Sequence, residues 1–291
     1  GAAYFAGGYA ASVVDTVDRF AFPDDTRTTL GTGLSAAVQS FGGMANSGTA
    51  GYFGGGWTGS SDVATVDKFA FSGDSRTTLG TGLSNARSSN AAMANSGTAG
   101  YFGGGWGGGR LATVDKFAFS DDGRTTLGTG LSAARSSLAG MANSGTAGYF
   151  GGGFDGSNLA TVDKFAFSDD GRTTLGTGLS AATTAIAAMA NSGTAGYFGG
   201  GYAASNVATV DKFAFSDDSR TTLGTGLSVA RKAVAGMAQS GTAGYFGGGT
   251  TGSNVATVDK FAFSDDGRST LGTGLSSARN DLAGMADSLT L

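Results

Sequence analysis

The sequence predicts an all-β fold, a six-bladed β-propeller, from three observations: a long internal repeat, a strand-and-turn pattern within each repeat, and a composition that disfavours helices. The pair Tyr-Phe recurs at spacings of 48 or 49 residues, at Tyr4, Tyr52, Tyr101, Tyr149, Tyr197 and Tyr245. The 291 residues include 55 glycines, and all 22 acidic residues are aspartate. Because Glu is absent and Lys is scarce, the residues that best stabilise exposed helices are largely missing.

One repeat, residues 136–180, illustrates the four strands in order. Residues 136–144 are small and weakly apolar, and they run into an Asn-Ser-Gly turn before a second strand at 146–150, which three glycines stop. Residues 160–167 alternate between two faces, as a strand requires. A tight turn at 168–171 leads to a Thr-rich fourth strand within 172–180. Four short hairpin-joined strands at this period are typical of a propeller blade, whereas the rival β-solenoid usually has a shorter period.

The ends of the chain predict how the ring closes. The chain starts at the second strand of a repeat and stops after the first strand of another. We therefore expect the C-terminal strand to join residues 1–35 in one antiparallel blade, which closes residues 1–291 into a single domain and removes the exposed sheet edges. Since the first residue is Gly1 rather than Met, we also expect that a segment was removed or that this is one piece of a longer polypeptide.

The repeat resembles the kelch repeat over nearly the whole chain. An Arg leads the first strand at Arg87, Arg135, Arg231 and Arg279, whereas Val38 and Thr183 stand there in the other two copies. A Gly-Gly doublet ends the second strand, a Phe occupies the kelch Tyr position of the third, and an Arg occupies the kelch Trp position of the fourth. The resemblance implies kelch strand order and an innermost C-terminal strand. The pattern is similar to glycine-rich kelch-like repeats of bacterial and phage surface proteins.

Composition argues against several functions. The net charge of −4 is spread evenly, without the basic stripe of a nucleic-acid binder. Apolar stretches are too short for membrane insertion or a signal-peptide core. Without His or Cys there is no imidazole base, thiol nucleophile, disulfide or usual zinc ligand set. We therefore expect no catalytic residues, no metal and no cofactor, and a protein that is not an enzyme.

The six copies differ mainly in two segments, which predict a variable face. One follows the glycines after the second strand, and the other runs from the fourth strand into the next first strand. In a four-stranded antiparallel blade both connections lie at the same end, and loops on a rigid scaffold commonly carry binding function. The residue after the glycines is aromatic in five copies, as Tyr9, Trp57, Trp106, Phe154 and Tyr202, and is Thr250 in the sixth. These rings either contact a ligand by stacking or pack against the next blade.

Two recurrent charged motifs have structural interpretations. Asp pairs at the turn between the third and fourth strands, such as Asp169-Asp170, predict turn formation rather than acid–base chemistry, because adjacent turn residues cannot both face one substrate. Asp163-Lys164 and its equivalents predict ion pairs between blades. The Gly-x-Gly of the fourth strand is a weak phosphate signal, since no strand-to-helix transition follows it.

These observations favour a non-enzymatic binding module that is extracellular, at the cell surface or on a virion. Its partners would be a glycan or a surface protein, bound at the variable face by Tyr9, Trp57, Trp106, Phe154 and Tyr202. The alternative is a structural building block that assembles with copies of itself or within a larger virion or filament. Near-identical copies also fit a consensus-built or recently amplified sequence without a specialised ligand.

Overall fold

The computed structural model describes residues 1–287, which form six sheets of four antiparallel strands, one sheet for each blade. The prediction of an all-β six-bladed propeller is confirmed. Blade 1 consists of β24 (Ala283–Asp287), β1 (Ala2–Ala6), β2 (Val17–Ala21) and β3 (Thr26–Thr29). Pairing of β1 with β24, in register from Ala2 with Asp287 to Ala6 with Ala283, closes the ring as expected.

The other five blades follow the chain, each from its innermost to its outermost strand. Blade 2 has β4 (Gly42–Asn46), β5 (Ala50–Gly54), β6 (Val66–Ala70) and β7 (Ser75–Thr78). Blade 3 has β8 (Ala91–Asn95), β9 (Ala99–Gly103), β10 (Val114–Ala118) and β11 (Arg124–Thr126). Blade 4 has β12 (Ala139–Asn143), β13 (Ala147–Gly151), β14 (Val162–Ala166) and β15 (Arg172–Thr174). Blade 5 has β16 (Ala187–Asn191), β17 (Ala195–Gly199), β18 (Val210–Ala214) and β19 (Arg220–Thr222). Blade 6 has β20 (Ala235–Gln239), β21 (Ala243–Gly247), β22 (Val258–Ala262) and β23 (Arg268–Thr270).

The fourth strands are shorter than the sequence predicts. In blade 4 the strand ends at Thr174, and the following Leu-Gly-Thr-Gly segment leaves the sheet. Leu179 then points into the core, and its N–H donates to Ala160 O at 2.8 Å. A Cβ on Gly178 would lie 2.3 Å from the same carbonyl oxygen. The second glycine of the Gly-x-Gly therefore permits a close approach between two backbone segments.

The hydrophobic core lies between the blades. In blade 4, Phe150 of the second strand meets Phe165 of the third edge to face, with ring centroids 5.9 Å apart. Met93, from the innermost strand of blade 3, reaches Gly148 of blade 4 so closely that a Cβ there would lie 2.1 Å from its sulfur. The innermost strands adjoin one another around the axis. Glycine thus provides the space into which the preceding blade packs.

A clasp of one Tyr and one Lys joins each blade to the turn of the next. Tyr149 Oη donates to Asp218 Oδ1 at 2.8 Å, and Lys164 Nζ lies 2.7 Å from Asp218 Oδ2. The clasp recurs around the ring, with Arg19 replacing Lys opposite Asp74 at 3.6 Å. The predicted ion pairs between blades are confirmed, although the carboxylate comes from the turn rather than from the adjacent third-strand aspartate.

The two members of each Asp pair have different roles. The first forms its own turn, as when Gly171 N donates to Asp169 Oδ1 at 2.9 Å. The second adopts positive φ and accepts the clasp from the preceding blade, as Asp170 does from Lys116 at 2.7 Å. The prediction of turn formation is correct for the first member and incomplete for the second, which also binds the Tyr and Lys of the preceding blade.

A buried ion pair fixes the segment that crosses from one blade to the next. Arg135 Nη1 lies 3.1 Å from Asp163 Oδ2, and both side chains are fully buried. Ser132 donates its N–H and its hydroxyl to the same oxygen, and Thr174 Oγ1 donates to Asp163 Oδ1 at 2.7 Å. Equivalent pairs join Arg87 to Asp115, Arg231 to Asp259 and Arg279 to Asp18. Burial lowers the pKa of the Arg135 guanidinium, which the Coulombic attraction and hydrogen bond of Asp163 oppose.

Replacement of Gly105 by alanine is expected to destabilise the fold by about 2–4 kcal/mol, because it combines backbone strain with a clash. Gly105 has φ of 107°, and its Cβ would lie 2.6 Å from Ser88 O. Gly108 has φ of 78° but open space around the Cβ position. Gly108→Ala, the matched control, should cost only ~1–2 kcal/mol in urea unfolding. Equal losses would show that the close approach at Gly105 carries no penalty.

Candidate functional site

Short antiparallel bridges show that the two variable segments meet at one end of the disc. Trp57 pairs with Gln39, Phe154 with Ser136 and Tyr202 with Thr184, each joining the loop after a second strand to the segment that leads into a first strand. Further bridges join Trp106 to Ser88 and Tyr9 to Asn280. The expected variable face therefore exists, and the backbone of every predicted site residue is fixed on it by hydrogen bonds.

The five aromatic side chains on this face are partly accessible. Tyr9, Trp106 and Tyr202 are 41, 43 and 37% exposed, and Trp57 and Phe154 are half-buried. Within residues 1–287 none of the five stacks on another aromatic ring. None of the five rings is fully buried, and the partial cover of Trp57 and Phe154 is compatible with packing against a neighbouring blade as well as with ligand contact.

Two cationic side chains cover ring faces on this surface. Arg110 Cζ lies 4.7 Å from the centroid of Phe154 and 5.7 Å from that of Trp106. Lys232 Nζ lies 4.8 Å from the centroid of Tyr202. A cation over an aromatic face is attracted by the ring quadrupole. These cations were not identified from the sequence, although both occupy variable positions where the other copies have uncharged or acidic residues.

In the three following blades, asparagine occupies the position equivalent to Arg110 and has a different role. Asn158 Nδ2 donates to Tyr202 O at 3.2 Å and to Ala203 O at 2.9 Å. Asn206 and Asn254 reach Thr250 O and Tyr9 O in the same way, at 3.1 and 2.8 Å. Asparagine therefore tethers the loop of the next blade, whereas Arg110 stacks on its ring.

A cleft of about 420 Å³ opens on the variable face beside blades 4 to 6 and blade 1. Its walls include Phe154, Tyr202, Lys232, Thr250, Asn280 and Asp281. Thr250 is the one position of the aromatic set without a ring, so the side chain that would project there is missing. Asn280 Oδ1 is buried and accepts no hydrogen bond within the described residues. The cleft thus combines two predicted site residues with an unused acceptor.

The cleft also contains one carboxyl group. Burial raises the pKa of Asp281, and the side-chain hydrogen bond with Ser40 and the charge of Lys232 act in the opposite direction. Asp281 stands at the axial mouth, where the equivalent residues are Ser40, Ser89, Ser137, Ala185 and Ala233. This single acidic side chain makes the mouth chemically asymmetric.

Backbone hydrogen bonds join the six blades around that mouth. The N–H of each of these residues donates to the carbonyl oxygen of its counterpart in the preceding blade, from Ser40 to Asp281 O at 2.6 Å through Asp281 to Ala233 O at 3.0 Å. The adjoining cavity is only about 80 Å³, and the channel farther in, lined by Gly, Ala, Met and Ser, is about 150 Å³. The wider cleft beside the axis is therefore the better place for a ligand.

On the opposite face of the disc, polar groups of the turns form hydrogen bonds with the neighbouring blades. Ser96 N donates to Ser144 Oγ at 2.9 Å, and Ser144 N donates to Ser192 Oγ at 3.0 Å. Gly145 N donates to Asn95 Oδ1 at 2.7 Å. These contacts repeat between successive blades. Polar groups on this face bind neighbouring blades, which leaves the variable face as the chemically diverse one.

Fold and site together define the class: a closed six-bladed β-propeller with one variable, aromatic face. No protein-family model matches the chain, and no curated protein matches it. Among solved structures, one titled "Structure of YjhT" matches with a TM-score of 0.68 at 14% identity, covering 85% of this chain and 87% of that chain. At this identity the likeness shows the propeller fold alone.

Residues 1–287 contain no group of three or more His, Cys, Asp or Glu side chains placed to hold a metal ion. No helix in this part of the chain is long and apolar enough to cross a membrane.

Proposed function

We propose that the protein is a non-enzymatic, kelch-like binding module that acts outside the cell or on a virion. Its variable face engages a glycan or a surface protein through Tyr9, Trp57, Trp106, Phe154 and Tyr202. The observation that carries this proposal is the partial exposure of these rings around the one face where the copies diverge.

The chemistry of the face suits a polyhydroxylated ligand. Aromatic rings offer large apolar contact area with few rotatable bonds, and ligand sites typically add a few placed polar groups. Thr184, Thr250 and Asn158 supply hydroxyl and amide groups in the cleft beside Phe154 and Tyr202. The rigid ring of blades holds the loops that carry them.

The alternative function, a structural building block, is favoured by a different observation. The repeats are nearly identical, and the face opposite the aromatic set is closed by regular hydrogen bonds between blades. Such a block would assemble with its own copies or with a larger particle. Sedimentation across a wide concentration range tests it, since a building block forms assemblies that a monomeric binding module does not.

Replacement of Trp57 and Trp106 together by alanine is expected to reduce binding on a glycan array at least tenfold, because exposed aromatic anchors dominate such contacts. The thermal unfolding midpoint should change little, since neither ring belongs to the hydrophobic core. Thr77→Ala, an exposed change on the outer strand of blade 2, serves as the control. Unchanged glycan binding by the double variant would contradict the role of the two rings.

A further inference from the structure

Arg110 and Lys232 differ from every other basic side chain of the described residues. The remaining Lys and Arg side chains each pair with an aspartate or donate to a backbone or side-chain oxygen. Arg110 and Lys232 do neither, and rest on the rings of Phe154 and Tyr202. Both unpaired cations therefore belong to the same face: Lys232 lines the cleft, and Arg110 stacks on Phe154, which is one of its walls.

From this arrangement we propose that the cleft between Phe154 and Tyr202 binds an acidic polysaccharide, one that carries carboxylate or sulfate groups. The inference rests on the proposed function and names its ligand class. The cleft receives a sugar ring, Lys232 contacts an anionic group within it, and Arg110, stacked on Phe154, contacts a second anionic group beside it.

The hydrogen-bonding capacity of the two cations is free for a ligand. A guanidinium has five N–H donors and an ammonium three, and an aromatic face satisfies none of them with a directional bond. Carboxylates and sulfates accept such donors in strong, charge-assisted bonds. The rings meanwhile hold the two side chains in place, which reduces the entropy lost on binding.

The opposite side of the cleft requires donors from the ligand. Asn280 Oδ1 is a buried acceptor without a partner in the described residues, and Asp281 lines the same cleft. Ligand hydroxyl groups can donate to both. A ligand with hydroxyls on one side and an acidic group on the other matches this distribution, as a uronic acid or sulfated sugar does.

The overall charge limits how such a ligand can bind. A net charge of −4, spread evenly, repels a polyanion from most of the surface. Two cations can neutralise only two charges at a time, so binding should weaken with salt by the modest amount expected for two ionic contacts. A nucleic-acid strand, with a charge on every nucleotide, needs a longer basic track than this face provides.

Sequence variation at Thr250 offers a way to close the cleft without disturbing the fold. Tyr9 and Tyr202 occupy the same position in blades 1 and 5, so the scaffold accommodates tyrosine there. Thr250→Tyr should place a ring in the cleft beside Tyr202. The variant keeps both cations, so a loss of binding would show that the ligand occupies the cleft rather than being attracted only by the positive charge.

The test uses the full chain with immobilised dextran sulfate and polygalacturonate, with neutral dextran and a single-stranded oligonucleotide as comparisons. The variants are Arg110→Asn and Lys232→Thr, whose new residues already stand at the equivalent positions of Asn158 and Thr184. Each should weaken binding to at least one acidic polymer about tenfold, as expected for a lost charge-assisted bond. The double variant and Thr250→Tyr should abolish it. Thr28→Asp with Thr77→Asp, exposed on the outer strands, changes net charge equally and should retain most binding.

The outcomes separate this inference from the broader proposal. Absence of binding to both acidic polymers, equal binding to the oligonucleotide, or equal loss in the outer-strand control would overturn the acidic-polysaccharide site. If a neutral glycan then binds and depends on Trp57 and Trp106, the proposed function stands without the inference. If neither acidic nor neutral glycans bind and no surface protein is captured by the variable face, both fail.

Discussion

Replacement of Asp163 by asparagine is expected to destabilise the protein by about 3–5 kcal/mol, because it leaves the buried Arg135 guanidinium without a counter-charge. Both side chains of this pair are fully buried. An asparagine oxygen in place of Oδ2 can still accept from Ser132, and its amide N–H in place of Oδ1 can donate to Thr174 Oγ1, so the packing and most hydrogen bonds remain. The loss should appear as a lower urea midpoint with an unchanged slope.

The chain contains its own control for this experiment. Asp67 receives the equivalent bonds from Ser35 and Thr78, but Val38 replaces the arginine in its blade. Asp67→Asn should therefore cost only ~1–2 kcal/mol, the scale of weakened hydrogen bonds. The difference between the two variants isolates the buried cation. If Asp163→Asn costs no more than Asp67→Asn, the ion pairs contribute nothing beyond their hydrogen bonds.

Stability is expected to fall steeply in alkaline solution, because six buried tyrosines must keep their protons for the blades to remain joined. Burial, followed by the hydrogen bond to Asp122, raises the pKa of Tyr52 to about 12, and the pKa values of Tyr4, Tyr101, Tyr149, Tyr197 and Tyr245 are also raised. Unfolded tyrosine titrates near 10. The stabilisation is complete below that pH and is lost as pH rises toward the folded pKa values.

The number of protons released on unfolding sets how steeply the free energy of unfolding falls with pH. Release of about six protons on unfolding corresponds to a decrease of ~8 kcal/mol per pH unit once unfolded tyrosines are ionised. Urea unfolding at several pH values measures the slope, and tyrosinate absorbance of the folded protein reports the native titration. Tyr52→Phe, which keeps a ring against Phe119, should reduce the slope by one proton. A flat unfolding free energy well above pH 10 would contradict the expectation.

The blade architecture was predictable because the signals for its strands and turns lie within each repeat. Turn residues and the alternation of Val162 to Phe167 define strands without reference to distant contacts, and the repeat supplies six confirmations. The boundary of the fourth strand was less predictable, since the chain leaves the sheet after Leu175 and Leu179 packs into the core. Burial of that kind depends on neighbouring elements rather than on local propensity.

The site was only partly predictable for the same reason. Comparison of the copies identified the variable face and its aromatic set, but the exposure of Trp106 depends on what the next blade places beside it. Arg110 stacks on Phe154, 44 residues away in sequence, and nothing local indicates that contact. The departures of Arg110 and Lys232 from their equivalents were the available signal. An unpaired charge at a position where other copies are uncharged indicates a specialised surface better than a shared motif does.

The backbone hydrogen bonds around the axial mouth run in one rotational sense, so every blade has a distinct neighbour on each side. Which loop residues meet is therefore decided by the order of the repeats along the chain: Arg110 reaches Phe154 because the third and fourth repeats are consecutive. Exchange of two repeats would preserve the bonds that hold the disc and create different pairs of side chains on its surface. Recombination between near-identical repeats thus offers a route to new arrangements of side chains on the variable face without any new point substitution.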